Sequence, residues 1–274
     1  MYGALIGDIA GSRYEFDAVD TKDFELFPLG CSITDDSVMT TAVAQTLLTA
    51  KTMEEADGVF PSDEEVKALF VKNMKDWGHR YPDAGYGGRF FRWLFFGGEE
   101  PYNSLGNGSA MRVSPCGWLY GDMETTRHMA ALSAEVTHNH PEGVKGAESV
   151  AAAIFLARNG SSKAEIKEYV EREFGYDLSH TIDEIRPFVT FDETCPGSVP
   201  ESFIAFLDGV DYEDTIRNAI SLGGDADTQA AIAGAIAEAF FGIPEELKQQ
   251  AIDRSGMPDE VREVIDAVYA EIGK

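Results

Sequence analysis

Carboxylates and hydroxyls stand in two short clusters, each at the predicted start of an apolar helix. One cluster is Thr34-Asp35-Asp36, and the other is Asp225-Ala226-Asp227-Thr228. Unpaired charge at the mouth of an interior helix is costly, so both clusters predict a positively charged partner. Oxygen donors without nearby sulfur or imidazole favour magnesium, manganese or calcium over zinc. If the two helices pack side by side, shared carboxylates could build a two-metal centre.

The second cluster also has other interpretations. An EF-hand calcium loop starting at Asp225 is excluded, because Ala230 stands where that loop needs glycine and Ile236 where it needs glutamate. A glycine-rich connection in which Asp227 or Thr228 caps the following helix stays open. The metal interpretation requires a second group of acids, and the first cluster supplies one.

The elements that must position these clusters are helices. A small-residue helix is predicted near the amino end, a capping box at Ser62 opens a helix to about Trp77, and strand alternation is nearly absent. Further helices are predicted over 35–48, 130–135, 142–158, 162–174, 201–207, 212–221, 226–241, 244–252 and 259–272. The stretches 78–113 and 183–200 are predicted to be irregular. We therefore expect an all-α protein with about ten or more helices in one compact domain, residues 1–274.

Composition limits the class of partner. The 22 Lys and Arg against 48 Asp and Glu give a net charge of −26, which disfavours nucleic acid and anionic membranes. The three cysteines lack C-x-x-C spacing and fit a reducing compartment. The first residues lack the basic region of a secretion signal, so a cytoplasmic location is expected.

Glycine-rich loops and histidines add candidate contacts. The glycines at 106 and 108 either join helices or expose backbone N–H groups to an anion, and without a preceding strand they are not a dinucleotide fingerprint. For His138 and His140, hydrogen bonding or substrate contact is favoured over metal binding, since no cysteine or third histidine lies nearby in the sequence.

Taken together, five motifs in order resemble the ADP-ribosylglycohydrolase family, which includes the hydrolase that reactivates ADP-ribosylated dinitrogen reductase and the animal ADP-ribosylarginine and ADP-ribosylserine hydrolases. The motifs are Gly7-Asp8 with Gly11 and Glu15, Thr34-Asp35-Asp36-Ser37, Gly106-Asn107-Gly108-Ser109-Ala110-Met111-Arg112, Thr137-His138, and Gly224-Asp225-Ala226-Asp227-Thr228.

This resemblance implies an orthogonal all-helical fold with two Mg²⁺ or Mn²⁺ ions at the base of a cleft. The implied metal ligands are Thr34, Asp35, Asp36, Asp225, Asp227 and Thr228, and the candidate catalytic residues are Glu15, Asp35 and Asp36. The implied substrate-binding residues are Tyr86, Asn107, Gly108, Ser109, Met111, Arg112 and His138. For Arg112, a structural role paired with a buried acid is an equal alternative.

The implied activity is hydrolysis of the glycosidic bond between ADP-ribose and an acceptor, most simply a modified protein side chain, with arginine favoured. The two ions would hold the distal ribose diol and activate water, with Glu15 or Asp36 as base or acid. Serine, nucleic-acid ends and O-acetyl-ADP-ribose present the same ADP-ribose half and stay open as acceptors. A non-catalytic relative, such as the jellyfish lens protein that resembles this family, and a metal-dependent phosphohydrolase are the alternatives from other classes.

Overall fold

The computed structural model describes residues 1–273, and the elements in that range are fifteen α-helices. They are α1 (Tyr2–Gly11), α2 (Asp35–Asp57), α3 (Asp63–Arg80), α4 (Gly88–Phe95), α5 (Gly108–Met111), α6 (Ser114–Leu119), α7 (Met123–Glu135), α8 (Pro141–Arg158), α9 (Lys163–Phe174), α10 (Ile182–Ile185), α11 (Cys195–Asp208), α12 (Tyr212–Ile220), α13 (Ala226–Phe241), α14 (Glu245–Ser255) and α15 (Asp259–Glu271). Outside them, an isolated antiparallel bridge joins Gly106 to Thr194. The predicted all-α class is confirmed.

Helix α13 lies in the interior because its sequence offers little polar surface. Every residue from Ala226 to Glu238 is buried, as its apolar pattern predicted. Gly223 makes the preceding turn with a φ of +69°, a conformation that favours glycine. The expected cap was wrong: the N-cap is Asp225, without a side-chain cap bond, and both Asp227 and Thr228 lie within the first turn. The Asp225 carboxylate instead accepts a hydrogen bond from Asn107.

Glycines at every fourth position allow α1 to lie directly against α13. A Cβ atom at Gly7 would be 2.1 Å from the carbonyl oxygen of Ala230, and one at Gly11 would be 2.4 Å from the Cα of Asp227. No side chain larger than hydrogen fits such gaps. The close approach sets Asp8 and the loop that carries Glu15 beside the start of α13.

Capping residues fix the other helix starts that matter for the site. The hydroxyl of Thr34 accepts from the backbone N–H of Asp36, so α2 begins at the first acidic cluster. The predicted capping box at Ser62 is confirmed at the start of α3.

Two stretches that were predicted to be irregular are partly helical. Helix α4 buries Phe90, Trp93 and Leu94, an apolar spacing that the surrounding glycines and prolines obscured. Helix α11 begins at Cys195 rather than Glu201, because Thr194 caps it and a proline fits its first turn, where backbone N–H groups lack helical partners anyway.

Across residues 1–273, every helix is too short or too polar to cross a bilayer.

Candidate active site

The two acidic clusters meet at the base of a cleft. Oxygens from Asp8, Asp36 and Asp227 all lie within 4.8 Å of one another, as do oxygens from Glu15, Asp225 and Asp227. Asp227 belongs to both groups and therefore joins them. The hydroxyl of Thr228 donates to Asp36 Oδ2 at 3.3 Å, which ties the start of α13 to the start of α2.

Asp8 holds the first cluster in place. Its Oδ2 accepts from the backbone N–H of Thr34 at 2.9 Å, from that of Ser37 at 3.1 Å and from the Ser37 hydroxyl, while its Oδ1 accepts from the Thr34 hydroxyl at 2.7 Å. These donors fix the first turn of α2, so Asp8 couples the position of α1 to the direction of the Asp35 and Asp36 side chains.

Burial and mutual repulsion disfavour ionisation of every acid in this group. Burial raises the pKa of Asp8 to about 6 in spite of its hydrogen bonds. Burial and the charge of Asp225 raise the pKa of Glu15 to about 7. The pKa values of Asp35, Asp36 and Asp227 lie well above the usual range because of burial and neighbouring carboxylates. The pKa of Asp225 is also raised, mainly by burial. Positive charge close to these carboxylates would be needed to keep them all ionised.

The residues present fit divalent cations. Asp36 Oδ1 is buried and makes no hydrogen bond to any part of the chain that the structure describes, although the rest of its carboxylate is held by Thr228. The donors are carboxylates and hydroxyls, the set that magnesium and manganese prefer. Asp36 Oδ1 therefore has a free lone pair beside the two groups of acids that share Asp227, as expected of a ligand atom in a cation site.

The glycine loop forms one wall of the cleft. The Asn107 side-chain amide donates to Asp225 Oδ2 at 2.7 Å and to the hydroxyl of Ser198 at 2.9 Å. Asn107 therefore contacts the acid cluster itself. The bridge between Gly106 and Thr194, with the Asn107 N–H donating to the Glu193 carbonyl at 2.8 Å, brings the exposed Glu193 to the same cleft.

A chain of hydrogen bonds behind this wall orients His138. Arg112 is fully buried, and its Nη2 donates to the Ser133 carbonyl and to the Thr137 hydroxyl, both at 2.8 Å. The Thr137 hydroxyl lies 2.8 Å from His138 Nδ1. The Thr137 hydroxyl can accept from Arg112 and give its own proton to Nδ1, an arrangement that leaves the imidazole proton on Nε2. Burial and the charges of Arg112 and Arg89 hold the pKa of His138 well below its ordinary value.

Most of the predicted site residues line the cleft: Glu15, Asp35, Asp36, Asn107, Gly108, Met111, Arg112, His138, Asp225, Asp227 and Thr228. Arg112 has no carboxylate partner among residues 1–273, so the structure does not provide the buried ion pair that was its alternative.

Three predicted residues lie behind the cleft surface. Thr34 gives its proton to Asp8 and accepts from the Asp36 N–H. Ser109 is fully buried and donates to the Gly143 carbonyl at 2.7 Å. Tyr86 packs against Phe90 with ring centroids 5.8 Å apart.

The sequence interpretation missed several residues at the site. Asp8 was noticed only as part of a motif, although a lone aspartate in a small apolar helix is itself a sign of function. Arg89, Tyr102 and Glu193 also line the cleft. They stand in the two stretches predicted to be irregular, where no periodic pattern marks a cleft-facing position.

Comparison with known proteins identifies the family of the chain and agrees with its fold. A family model described as ADP-ribosylglycohydrolase matches residues 1–274. ADP-ribosylhydrolase ARH3 of Bos taurus is 29% identical, over 91% of this chain and 86% of that protein. ADP-ribosylarginine hydrolase Tri1 of Pseudomonas putida is 24% identical, over 95% and 71% of the two chains. A solved structure titled ADP-ribosylglycohydrolase-related protein complex shares the fold, with a TM-score of 0.71, 21% identity and coverage of 99% and 97%.

With a match over its whole length, and with the acid cluster at the base of its cleft, the chain belongs to the ADP-ribosylglycohydrolase family of enzymes.

Proposed function

We propose that this enzyme hydrolyses the glycosidic bond between ADP-ribose and a modified acceptor, with two Mg²⁺ or Mn²⁺ ions held by the acid cluster. The observation that carries the proposal is the pair of carboxylate groups that share Asp227 at the base of a cleft. Asp35, Asp36, Asp225, Asp227 and Thr228 would hold the ions, with Thr34 completing the set through its remaining lone pair. Bound divalent ions would fix the ribose hydroxyls and lower the pKa of a bound water.

The protein's own groups would perform the other steps. Glu15 is half-buried and lines the cleft, where a water molecule and a leaving group would be accessible to its carboxylate. We assign it general acid–base work, with Asp35 and Asp36 as the alternative bases. His138 would donate through Nε2, since Thr137 holds its Nδ1. Asn107 would keep the Asp225 carboxylate oriented through its amide.

The acceptor is the finer part of the proposal. We propose a modified protein side chain and place arginine first, because Tri1 is named an ADP-ribosylarginine hydrolase. The name of the ARH3 relatives, which have higher identities, specifies no acceptor. The test must therefore compare acceptors directly.

The decisive experiment incubates ADP-ribosylated arginine, serine and DNA substrates with the protein and Mg²⁺ or Mn²⁺. Free ADP-ribose is the expected product. Asp36→Asn and Asp227→Asn should each lower turnover by about a hundredfold or more, because loss of even an outer partner of a metal ligand costs about 10- to 100-fold. Asp57→Asn is the matched control, since Asp57 is exposed at the far end of α2.

Three results would contradict the proposal. Turnover that survives chelation or either substitution removes the metal assignment. Release of AMP or inorganic phosphate instead of ADP-ribose indicates a phosphohydrolase. Binding of ADP-ribose without any product indicates a non-catalytic relative.

A further inference from the structure

The cleft must admit an anion although six carboxylates line it. These are Glu15, Asp35, Asp36, Glu193, Asp225 and Asp227. The ligand named in the proposed function carries a diphosphate between its two ribose rings, and the whole protein carries a net charge of −26. Ions at the acid cluster compensate charge at the base of the cleft only. The diphosphate therefore calls for hydrogen-bond donors of its own along the wall, and charge-assisted donors are the strongest kind.

The buried basic residues are poorly suited to this task. Three basic side chains line the cleft: Arg89, Arg112 and His138. Arg112 is 0% exposed, and its Nη2 is committed to Ser133 and Thr137. Burial, together with the charges of Arg112 and Arg89, holds the pKa of the His138 imidazole well below its ordinary value, which favours the neutral form. It can donate one hydrogen bond but supplies no charge.

Arg89 is the accessible cation of this wall. It is exposed in the first turn of α4. Its guanidinium lies over the ring of Tyr102, 4.9 Å from the ring centroid, and its Nη2 donates to the Tyr102 carbonyl. Within the described chain no carboxylate lies in ion-pair distance of Arg89, although acids outnumber basic residues by 48 to 22. Most of the five guanidinium donors are therefore free.

We propose that Arg89 is the phosphate-binding cation of this cleft and that Tyr102 is the residue that positions it. The naming of the ligand as the diphosphate of ADP-ribose rests on the proposed function. A planar guanidinium presents parallel N–H groups to two phosphate oxygens, whereas lysine presents a point charge. Tyr102 limits the guanidinium to one face of the cleft, and its ring also packs 5.9 Å from His138, so cation and neutral donor face the same space.

The test is calorimetric titration of the purified protein, at fixed Mg²⁺, with ADP-ribose, ADP and adenosine. Arg89→Gln should weaken the binding of ADP-ribose and of ADP by about tenfold or more, because that is the usual cost of a lost charge-assisted hydrogen bond. The binding of adenosine, which has no phosphate, should stay unchanged. Arg89→Lys should recover part of the loss. Arg92→Gln is the matched control, because Arg92 is exposed on the same helix and does not line the cleft.

The outcomes separate this inference from the proposed function. If Arg89→Gln binds ADP as tightly as the unmodified protein does, the phosphate role is overturned. It is also overturned if the substitution lowers the affinity for adenosine as much as the affinity for ADP. The same holds if the unmodified protein binds neither ADP nor ADP-ribose. If ADP binding depends on Arg89 but no ADP-ribosylated acceptor is cleaved, the proposed function fails while the phosphate role stands. If cleavage proceeds and Arg89→Gln raises no KM, only the inference fails.

Discussion

At the residue scale, the site depends on side chains that position the acids and His138 through hydrogen bonds. Asp8 accepts hydrogen bonds from Thr34 and Ser37. Hydrogen bonds connect Arg112 to His138 through Thr137. Such relays are absent from sequence patterns, because the partners come from different helices and loops. Spacing predicted the paired acids, which stand one or two residues apart, but could not reveal which residues hold them.

The Thr137 relay gives a prediction. Thr137→Val removes an acceptor from a buried arginine and the partner of His138 Nδ1, so we expect the free energy of unfolding to fall by about 1–3 kcal/mol. The kcat/KM should fall as well, because the imidazole loses its fixed tautomer. Denaturant unfolding and steady-state kinetics measure the two effects.

The control is Thr215→Val, because Thr215 is equally buried and its hydroxyl donates only to the Asp211 carbonyl within α12. This variant should lose stability without losing kcat/KM. If Thr137→Val retains the unmodified kcat/KM, the relay does not orient His138 for function.

At the element scale, the contact between α1 and α13 brings the two halves of the acid cluster together. The sequence predicted a small-residue helix at α1 that packs closely, and it predicted that α13 lies in the interior. Which helix it would pack against was not predictable, since α1 and α13 are far apart in the chain. Helix α4 was missed for another reason. Its eight residues are too few for a helical pattern to be recognised among the surrounding glycines.

A methyl group in that contact tests its importance. Gly7→Ala places a Cβ 2.1 Å from the Ala230 carbonyl oxygen, so α1 must move away. We expect a loss of about 1–3 kcal/mol in the free energy of unfolding, together with weaker binding of Mn²⁺, because Asp8 moves with the helix.

Gly121→Ala is the control for that substitution. A Cβ at Gly121 would meet nothing within 4 Å, so its effect on stability should stay within about 0.5 kcal/mol. If Gly7→Ala leaves Mn²⁺ affinity unchanged, the position of α1 does not determine the geometry of the cluster.

At the scale of the whole molecule, the buried acids repel one another, and bound cations would relieve that repulsion. Adding Mg²⁺ or Mn²⁺ should therefore raise the melting temperature. A ligand at a hundred times its Kd contributes about 2.7 kcal/mol. Differential scanning fluorimetry with and without each ion measures the effect. Asp227→Asn should abolish most of the ion-dependent increase, and an unmodified protein that melts at the same temperature with and without ions would contradict the metal site.

The net charge of −26 also predicts how the substrate reaches the cleft. Repulsion between the protein and a diphosphate acts over a long range and is screened by salt, with a Debye length of about 30 Å at 0.01 M and about 8 Å at 0.15 M. We therefore expect kcat/KM for an ADP-ribosylated substrate to rise between these ionic strengths. A fall would show that local positive charge already dominates at the entrance.

The amide contact of Asn107 has a consequence for the lifetime of the protein. Asn107 precedes Gly108, and such a pair in a mobile chain loses ammonia when the following backbone nitrogen attacks the side-chain carbonyl. Here Asn107 has helical angles, with φ −72° and ψ −8°, and its amide is held by Asp225 and Ser198. Folding thus opposes the rotations of backbone and side chain that the attack requires. We expect deamidation at this position to follow unfolding during storage, and each event would leave one more negative charge beside an already crowded group of acids.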